Sequence, residues 1–502
     1  MFVRQKKNKS GVISIQVIDK SSGKYKVLKT IGSSSNPSEV KTLLEKGKDY
    51  INKRIGYREL DFSNTDEIIL SVLNNITSHK LAGIELVLGK IFDEIGFCQI
   101  KDELFRDLVL YRLVYPRSKL KTTQYLYRYA GKTYSEDEVY RYLDKLYNSH
   151  KEQVQQISFC HTQMVLDGKI SIVFYDVTTV YFEIDDEDTL RKTGFSKEGK
   201  HQNPQIVLGL LVSKGGYPLA YDIFEGNQFE GETMLPIIDS FKRKYGLKQL
   251  IIVADSGLLS KNNIERLQKN NYEFILGARI KNETLAVKKE ILSLSLKNGE
   301  SKIIDKGKLK LIISYSDNRA KKDQYNRERG LAKLEKRIKS GKLTKANINN
   351  RGYNKYLKLD GEVSITIDKE KFWADTKWDG LKGYITNAKL SKDEILENYA
   401  HLWQIEKAFR IAKTDLKIRP IYYRKQQRIE AHICLNFVAY KVYKELERQL
   451  KEKESDLSVE KVIDILQSIY QIEIKNPVND ETLQKTILLT DEHKYLQKLF
   501  DF

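Results

Sequence analysis

The stretch ISIVFYDVTTVYFE, Ile170 to Glu183, decides how the rest of the chain is read. Its Ile, Val and Phe residues predict a buried strand, yet Asp176 sits in its middle, flanked by Val177, Thr178 and Thr179. An unpaired carboxylate in an apolar strand is costly. Either something cationic meets Asp176, or the segment is not a strand.

The segments that follow keep the strand period. IVLGLLVS, the turn KGGYP and LAYDIFEG predict two more strands. Thr233 is placed to cap a helix through MLPIIDSFKRKYG, which ends at Gly246. QLIIVADSG is a second apolar run ending in an acid, Asp255, and Ser260 then opens SKNNIERLQKN before the strand EFILGARI. The order strand, strand, strand, helix, strand, helix, strand predicts a mixed sheet covered by helices, an α/β fold.

Outward from this core, residues 1–60 alternate polar and apolar and predict a basic β hairpin or small sheet. Residues 61–165 change to three- and four-residue spacing, as in DELFRDLVLYRLVY, with Ser135 and Glu138 in capping-box form. That segment suits a helical DNA-binding module, or equally a bundle that only packs. The core's first part is 166–280. Residues 281–380 predict a mainly β insertion with a basic helical or mobile stretch, Arg319 to Lys345. Residues 381–450 complete the core, and 451–502 predict a charged helical tail.

The 502 residues carry 87 Lys+Arg against 68 Asp+Glu, a net +19. That excess favours polyanionic partners, nucleic acid before acidic membrane surfaces. Cys98, Cys160 and Cys434 are isolated, so neither a zinc module nor a disulfide framework is indicated. No apolar run approaches the roughly 20 residues needed to span a bilayer, and the basic start lacks the apolar core of a secretory signal. A reducing, cytoplasmic setting is expected, with no membrane.

Asp176 and Asp255 lie at or near the ends of strands in one sheet, where side chains are displayed. A third acid is expected on the helix that begins near Glu394. There Leu402, Ile405, Phe409, Ala412 and Leu416 form an apolar seam, with Glu406 at its border. Tyr399, Glu406 and Lys413 recur every seven residues, and Arg410 follows Glu406 by four. Hard cations such as Mg²⁺ take oxygen ligands and keep part of their shell for water and phosphate. Two such ions about 4 Å apart serve phosphodiester displacement, and three carboxylates suffice to hold them. Singly, Asp255 reads as a turn or cap and Glu406 as a surface charge; the combination points to a metal site.

YAHLWQIEKAFRIAK resembles the Tyr-x2-Arg-x3-Glu-x6-Lys signature of bacterial insertion-sequence DDE transposases, with Tyr399, Glu406 and Lys413 in register and Leu402 at the arginine position. VFYDVTTVYFE and IIVADSGLLS resemble the segments carrying the two catalytic aspartates. GFSKEGKHQNPQIVLGLLV, WDGLKGYITN and IRPIYYRKQQRIEAHI resemble the flanks of the subgroup with a β insertion. The resemblance implies a ribonuclease-H-like core and catalysis by Asp176, Asp255 and Glu406 as ligands of Mg²⁺, with Mn²⁺ as substitute. It also implies action on double-stranded DNA, the terminal inverted repeats and the target, by a homodimer assembled on DNA. Tyr399, Lys407, Arg410 and Lys413 are then expected at DNA phosphates. Lys197 and Lys200, beside Ser196 and His201, are expected on a loop reaching DNA. Trp373 and Trp378 are candidates to stack on a base, against the ordinary reading of core aromatics.

A metal-dependent nuclease of the same fold, and a non-catalytic DNA-binding descendant, share these residues and stay open as alternatives. A glycosidase also pairs carboxylates but needs no basic helix stripe.

Overall fold

The alternation in the first 60 residues folds as three antiparallel strands, Phe2–Lys7, Ile13–Asp19 and Lys26–Ser34, with Ile13–Asp19 in the centre. Ile15, Val17 and Ile18 are fully buried beneath a helix, Pro37–Ile55, that the alternation does not announce. Gly47 lets that helix approach: a Cβ there would lie 3.1 Å from the Val3 methyls. These elements belong to a compact unit of Met1–Ser78 with Glu473–Gln484; His79–Ile472 with Lys485–Phe502 forms the second unit. The computed structural model describes residues 1–55, 65–168, 170–196, 199–341, 343–344, 347–349, 352–360, 364–476 and 481–502.

In the second unit, after the short helical segments Ile84–Gly89 and Lys90–Ile95, come helices α1 (Glu103–Val114), α2 (Lys119–Tyr125), α3 (Glu136–Ser149) and α4 (Lys151–Val165). Asp102, Ser118 and Ser135 cap the first three by accepting from the amides of Phe105, Lys121 and Glu138. Such caps satisfy amides that have no partner inside the helix.

The sheet contains β1 (Ile172–Tyr181), β2 (Gln205–Ser213), β3 (Pro218–Glu225), β4 (Ile251–Ala254), β5 (Glu273–Ala278), β6 (Ser301–Lys306), β7 (Leu309–Tyr315) and β8 (Leu381–Thr386). Their spatial order is β6-β7-β8-β5-β4-β1-β2-β3. β1, β4 and β5 are mutually parallel, and every other pairing is antiparallel. The connections from β3 to β4 and from β4 to β5 carry α5 (Met234–Tyr245) and α6 (Lys261–Lys269), as the apolar periods predict. Gly246 ends α5 at φ +61°, a left-handed turn natural to glycine. Ser260 caps α6 through the amide of Asn263. Thr233 does not cap α5; its hydroxyl donates to the Glu230 carbonyl and accepts from the buried Tyr175 phenol at 2.8 Å.

Residues 281–380 correct the expectation of a mainly β segment. β6 and β7 do not stand apart but extend the main sheet beyond β8. The largest element is helical, α7 (Asp317–Lys339), and two short paired strands, Leu357–Asp360 and Ser364–Ile367, come after it. Its dense charge is helix-compatible because acids and bases recur four apart, as in Arg319–Asp323 at 3.6 Å. The single long helix expected from Glu394 is two helices, α8 (Lys392–Ala400) and α9 (Trp403–Thr414), divided at His401 and Leu402. α10 (Gln426–Glu452) follows. The tail, expected to be helical, holds helices Val459–Leu466 and Asp491–Phe500 but also strands Tyr470–Lys475 and Thr482–Ile487.

Strand alternation divides the core. Val173, Tyr175 and Val177 of β1 face one side with Met234, Ile238 and Phe241 of α5. Phe174 and Val180 face the other, with Ile405 and Phe409 of α9 and Leu435 and Val438 of α10. α1 and α3 contribute Phe105, Leu108, Leu143 and Leu146 to that same core. They therefore build the second unit's interior as well as whatever surface they present.

The Asp144 carboxylate on α3 accepts two bonds from the Arg428 guanidinium on α10, at 2.8 and 2.9 Å. That bidentate contact lowers the Asp144 pKa below its ordinary value. A depressed carboxylate stabilises the fold above its unfolded pKa and loses this contribution as pH falls through the folded one. Asp144→Asn is expected to cost about 1 kcal/mol at neutral pH. In urea titrations the difference from the parent is expected to shrink as pH is lowered toward about 3. A pH-independent gap would exclude the pairing as its cause.

Candidate active site

β1 and β4 run side by side in register, Ile172 opposite Ile251 through Tyr175 opposite Ala254. β4 ends at that point, so Asp176 and Asp255 are the next residues of two parallel neighbours, about 4.8 Å apart in backbone spacing. Successive strand residues alternate faces. Ile251 and Val253 join the core on the α9 side, as Phe174 does. Asp255 keeps an extended backbone, φ −76° and ψ 164°. Both acids therefore belong to the α9 face. Asp176 remains paired on its other edge, opposite Leu210 of β2.

The ordinary reading of Asp255 as a cap fails. It occupies the cap position of a short turn, Ser256–Leu258, but its side chain caps nothing. Instead its Oδ1 accepts a hydrogen bond from the Tyr399 hydroxyl at 3.1 Å. Tyr399 is only 4% exposed, and burial first, then the negative charge of Asp255, raise its pKa. The phenol therefore stays protonated and donates. Glu406, on the first turn of α9, is exposed next to the buried Ile405, and its charge also acts on Tyr399.

Lys382 of β8, which sequence reasoning missed, completes this group. Its ammonium lies 4.5 Å from the Tyr399 ring centroid and 5.4 Å from that of Tyr384. Burial, then the Arg319 charge, lowers its pKa, while Asp255 and Glu406 oppose the shift. A cation over the tyrosine between two acids partly balances them. The signal was faint: in LKGYIT a lysine alternating with apolar residues looks like any solvated strand charge.

The remaining candidates divide. Lys413 is half-buried on α9. Lys407 pairs with Glu447 of α10, and with Arg410 it lines an open cavity of about 660 Å³ reaching Tyr443 and Glu460. Leu402 is 6% exposed and part of the core. Trp378 is half-buried and, with Ser256, Arg279, Arg319 and Lys382, lines a cavity of about 500 Å³ beside Asp255. Trp373 is exposed, 65%, on the short helix Lys369–Ala374. Lys200 is exposed with its ammonium 5.3 Å from the Tyr181 ring at the end of β1. Lys197 lies outside the described residues.

Among the described residues, no three His, Cys, Asp or Glu side chains are already gathered closely enough to hold an ion. The Asp176 Oδ1 accepts from the neighbouring Val177 amide at 2.8 Å. The donor chemistry nevertheless fits a hard divalent cation, since the three acids offer only oxygen. Lys382 supplies part of the positive charge that such a set calls for.

Gly277 of β5 underlies Tyr399: a Cβ there would lie 2.5 Å from the phenol oxygen and 2.9 Å from the Ser256 amide. Gly277→Ala is expected to cost about 1–3 kcal/mol in urea unfolding, as overpacked interiors do. Unchanged stability would contradict this packing of Tyr399 on the sheet.

Among curated proteins, none matches this chain. Among solved structures, a cryo-EM structure of the piggyBac transposase synaptic complex with hairpin DNA is similar over 80% of this chain and 79% of that chain, at 10% identity and a TM-score of 0.38. Residues 167–441, more than half of the chain, match the transposase DDE domain family, and the chain belongs to that family.

Proposed function

We propose that the chain is the transposase of an insertion sequence, cleaving DNA at the element's terminal inverted repeats and joining the freed 3′ ends to target DNA. The observation that carries this reading is the register of Asp176 and Asp255 at the end of parallel pairing, on the face packed by the helix of Glu406. The strand order β5-β4-β1-β2-β3, with only β1, β4 and β5 parallel, supports a ribonuclease-H-like core. Residues 281–380 then act as an insertion between β5 and β8.

Asp176, Asp255 and Glu406 are the residues that would hold Mg²⁺ or Mn²⁺, and the bound ions supply activation of the attacking oxygen and charge neutralisation at the leaving one. In the first step a water oxygen bonds to the scissile phosphorus, the P–O3′ bond breaks, and a 3′-hydroxyl and a 5′-phosphate result. In the second, the 3′-oxygen bonds to a target phosphorus and displaces the target's own 3′-oxygen. Tyr399 orients Asp255 throughout. Lys382 and Lys413 contact the phosphate, Lys382 replacing the cation that Leu402 cannot offer. The helical segment before β1 binds repeat DNA, and two copies synapse the two ends.

The test is incubation with Mg²⁺ and a duplex carrying the element's own ends, followed by a pre-nicked duplex with target plasmid. Expected are cleavage at the ends, joining of the pre-nicked strand, and loss of both in Asp255→Asn. Cleavage without joining would reduce the function to a nuclease. Activity unaffected by Asp255→Asn would remove the acid site from the mechanism.

Tyr399→Phe removes one hydrogen bond to a charged acceptor, worth about 1.5–3 kcal/mol. Cleavage is expected to slow by roughly 10- to 100-fold, with DNA affinity nearly unchanged. A variant as fast as the parent would sink the positioning role.

A further inference from the structure

Behind the end of β1 lies a second charged site, of the opposite sign. α1, α2 and the segment between α9 and α10 enclose a cavity of about 280 Å³ lined by Arg112, Arg117, Lys119, Lys417, Tyr423 and His432. Arg112 and Lys119 are 6% and 3% exposed. Among the described residues, neither has a carboxylate at ion-pair distance or a hydrogen-bond acceptor. Two buried basic groups so placed disfavour each other's charge, and burial holds both below their ordinary pKa, a cost that a protein ordinarily offsets with an acid. Among the described residues, the Tyr423 phenol favours the charged form of Arg112 but is itself neutral, its pKa raised by burial, and Arg112 disfavours the charged form of Lys119.

His432 adds to the imbalance. Its Nε2 lies 2.9 Å from the Ile418 carbonyl and so carries the donating hydrogen, while its buried Nδ1 has no partner among the described residues. The rim is basic too: Arg117 and Lys417 are exposed. Among the described residues, nothing acidic lines this cavity.

We propose that the cavity is a phosphate-binding pocket, in which Arg112 and Lys119 take the anion's oxygens and Arg117 and Lys417 guide it in. The shared chemistry is a phosphate group, and the geometry favours one in the DNA backbone. The Ile421 amide, on the pocket wall, donates to the Tyr181 carbonyl of β1 at 3.1 Å. Tyr181 lies five residues beyond Asp176 on the same strand, about 17 Å away at the strand rise. That is about five nucleotide steps of duplex, a span from which the pocket can grip the strand flanking the cleaved phosphate. The choice of DNA as the source rests on the proposed transposase function; the pocket's affinity for phosphate does not.

The test uses the full chain and two readouts. In phosphate-free buffer, Lys119→Met is expected to melt at or above the parent's temperature, because it removes a buried basic group that has no acidic partner. Inorganic phosphate is expected to raise the parent's midpoint by about 2 °C or more, and to leave Lys119→Met unmoved. Arg112→Met is the second variant, for which the same loss of response is expected. If phosphate shifts parent and variants alike, or none of them, the pocket is overturned. The second readout is binding of the end duplex across a salt series. A slope against log salt shallower by about 1 in Lys119→Met assigns the pocket to the DNA backbone. An unchanged slope with a retained phosphate response in the parent assigns it to a free phosphate instead. Should the chain neither bind nor cleave DNA, the phosphate melt still decides for or against the pocket by itself.

Discussion

Like charges on adjacent strands set the terms for this protein. The parallel register of β1 and β4 leaves Asp176 and Asp255 as neighbours at the point where β4 stops. Two carboxylates at strand spacing repel, and a folded chain tolerates them only where water, hydrogen bonds or cations answer their charge. The structure answers in parts. Asp255 is exposed and receives the Tyr399 hydroxyl. Asp176 accepts from the Val177 amide. Lys382 brings a cation to the same group, held over the Tyr399 ring. The α8–α9 segment is thereby tied to the sheet at its acid end, and Glu406 follows from where α9 must start.

That arrangement explains why much of the candidate site's placement was legible in one sequence and why part of it was not. Strand runs ending in acids were readable because burial on both faces leaves almost unbroken apolar stretches, in which a carboxylate stands out. The α9 seam was readable for the same reason: Leu402, Ile405, Phe409 and Leu416 are all buried. The break between α8 and α9 was not. His401 and Leu402 both keep right-handed helical angles, so the seven-residue spacing of Tyr399, Glu406 and Lys413 survives a turn that interrupts the helix.

The misreading of residues 281–380 has a different cause. The alternation in KLKLIISYSD does form a strand, but alternation does not say which sheet a strand joins. β8, about 65 residues after β7 ends, inserts between β5 and β7, a long-range choice made by packing of Ile312, Ile313, Tyr384 and Ile385. Lys382, Arg112 and Lys119 were invisible for a related reason. Lysine and arginine in strands and helices are ordinarily solvated, and only three-dimensional placement reveals that Lys382 is half-buried and that Arg112 and Lys119 are buried.

Charges held against their own solvation cost are informative because stability alone would remove them. A methionine at Lys119 or Arg112 would fill the same space with none of the desolvation penalty. The acid group, whose strain is mutual repulsion, and the basic pocket, whose strain is burial, are of opposite sign and are joined by the single strand β1 through Asp176 and Tyr181. On the proposed roles of the two sites, one end would gather positive charge and the other negative charge. A phosphodiester strand with its accompanying metal ions presents that alternation along its own length. Under the proposed function, such a strand would span the two clusters, which β1 holds about 17 Å apart along its length.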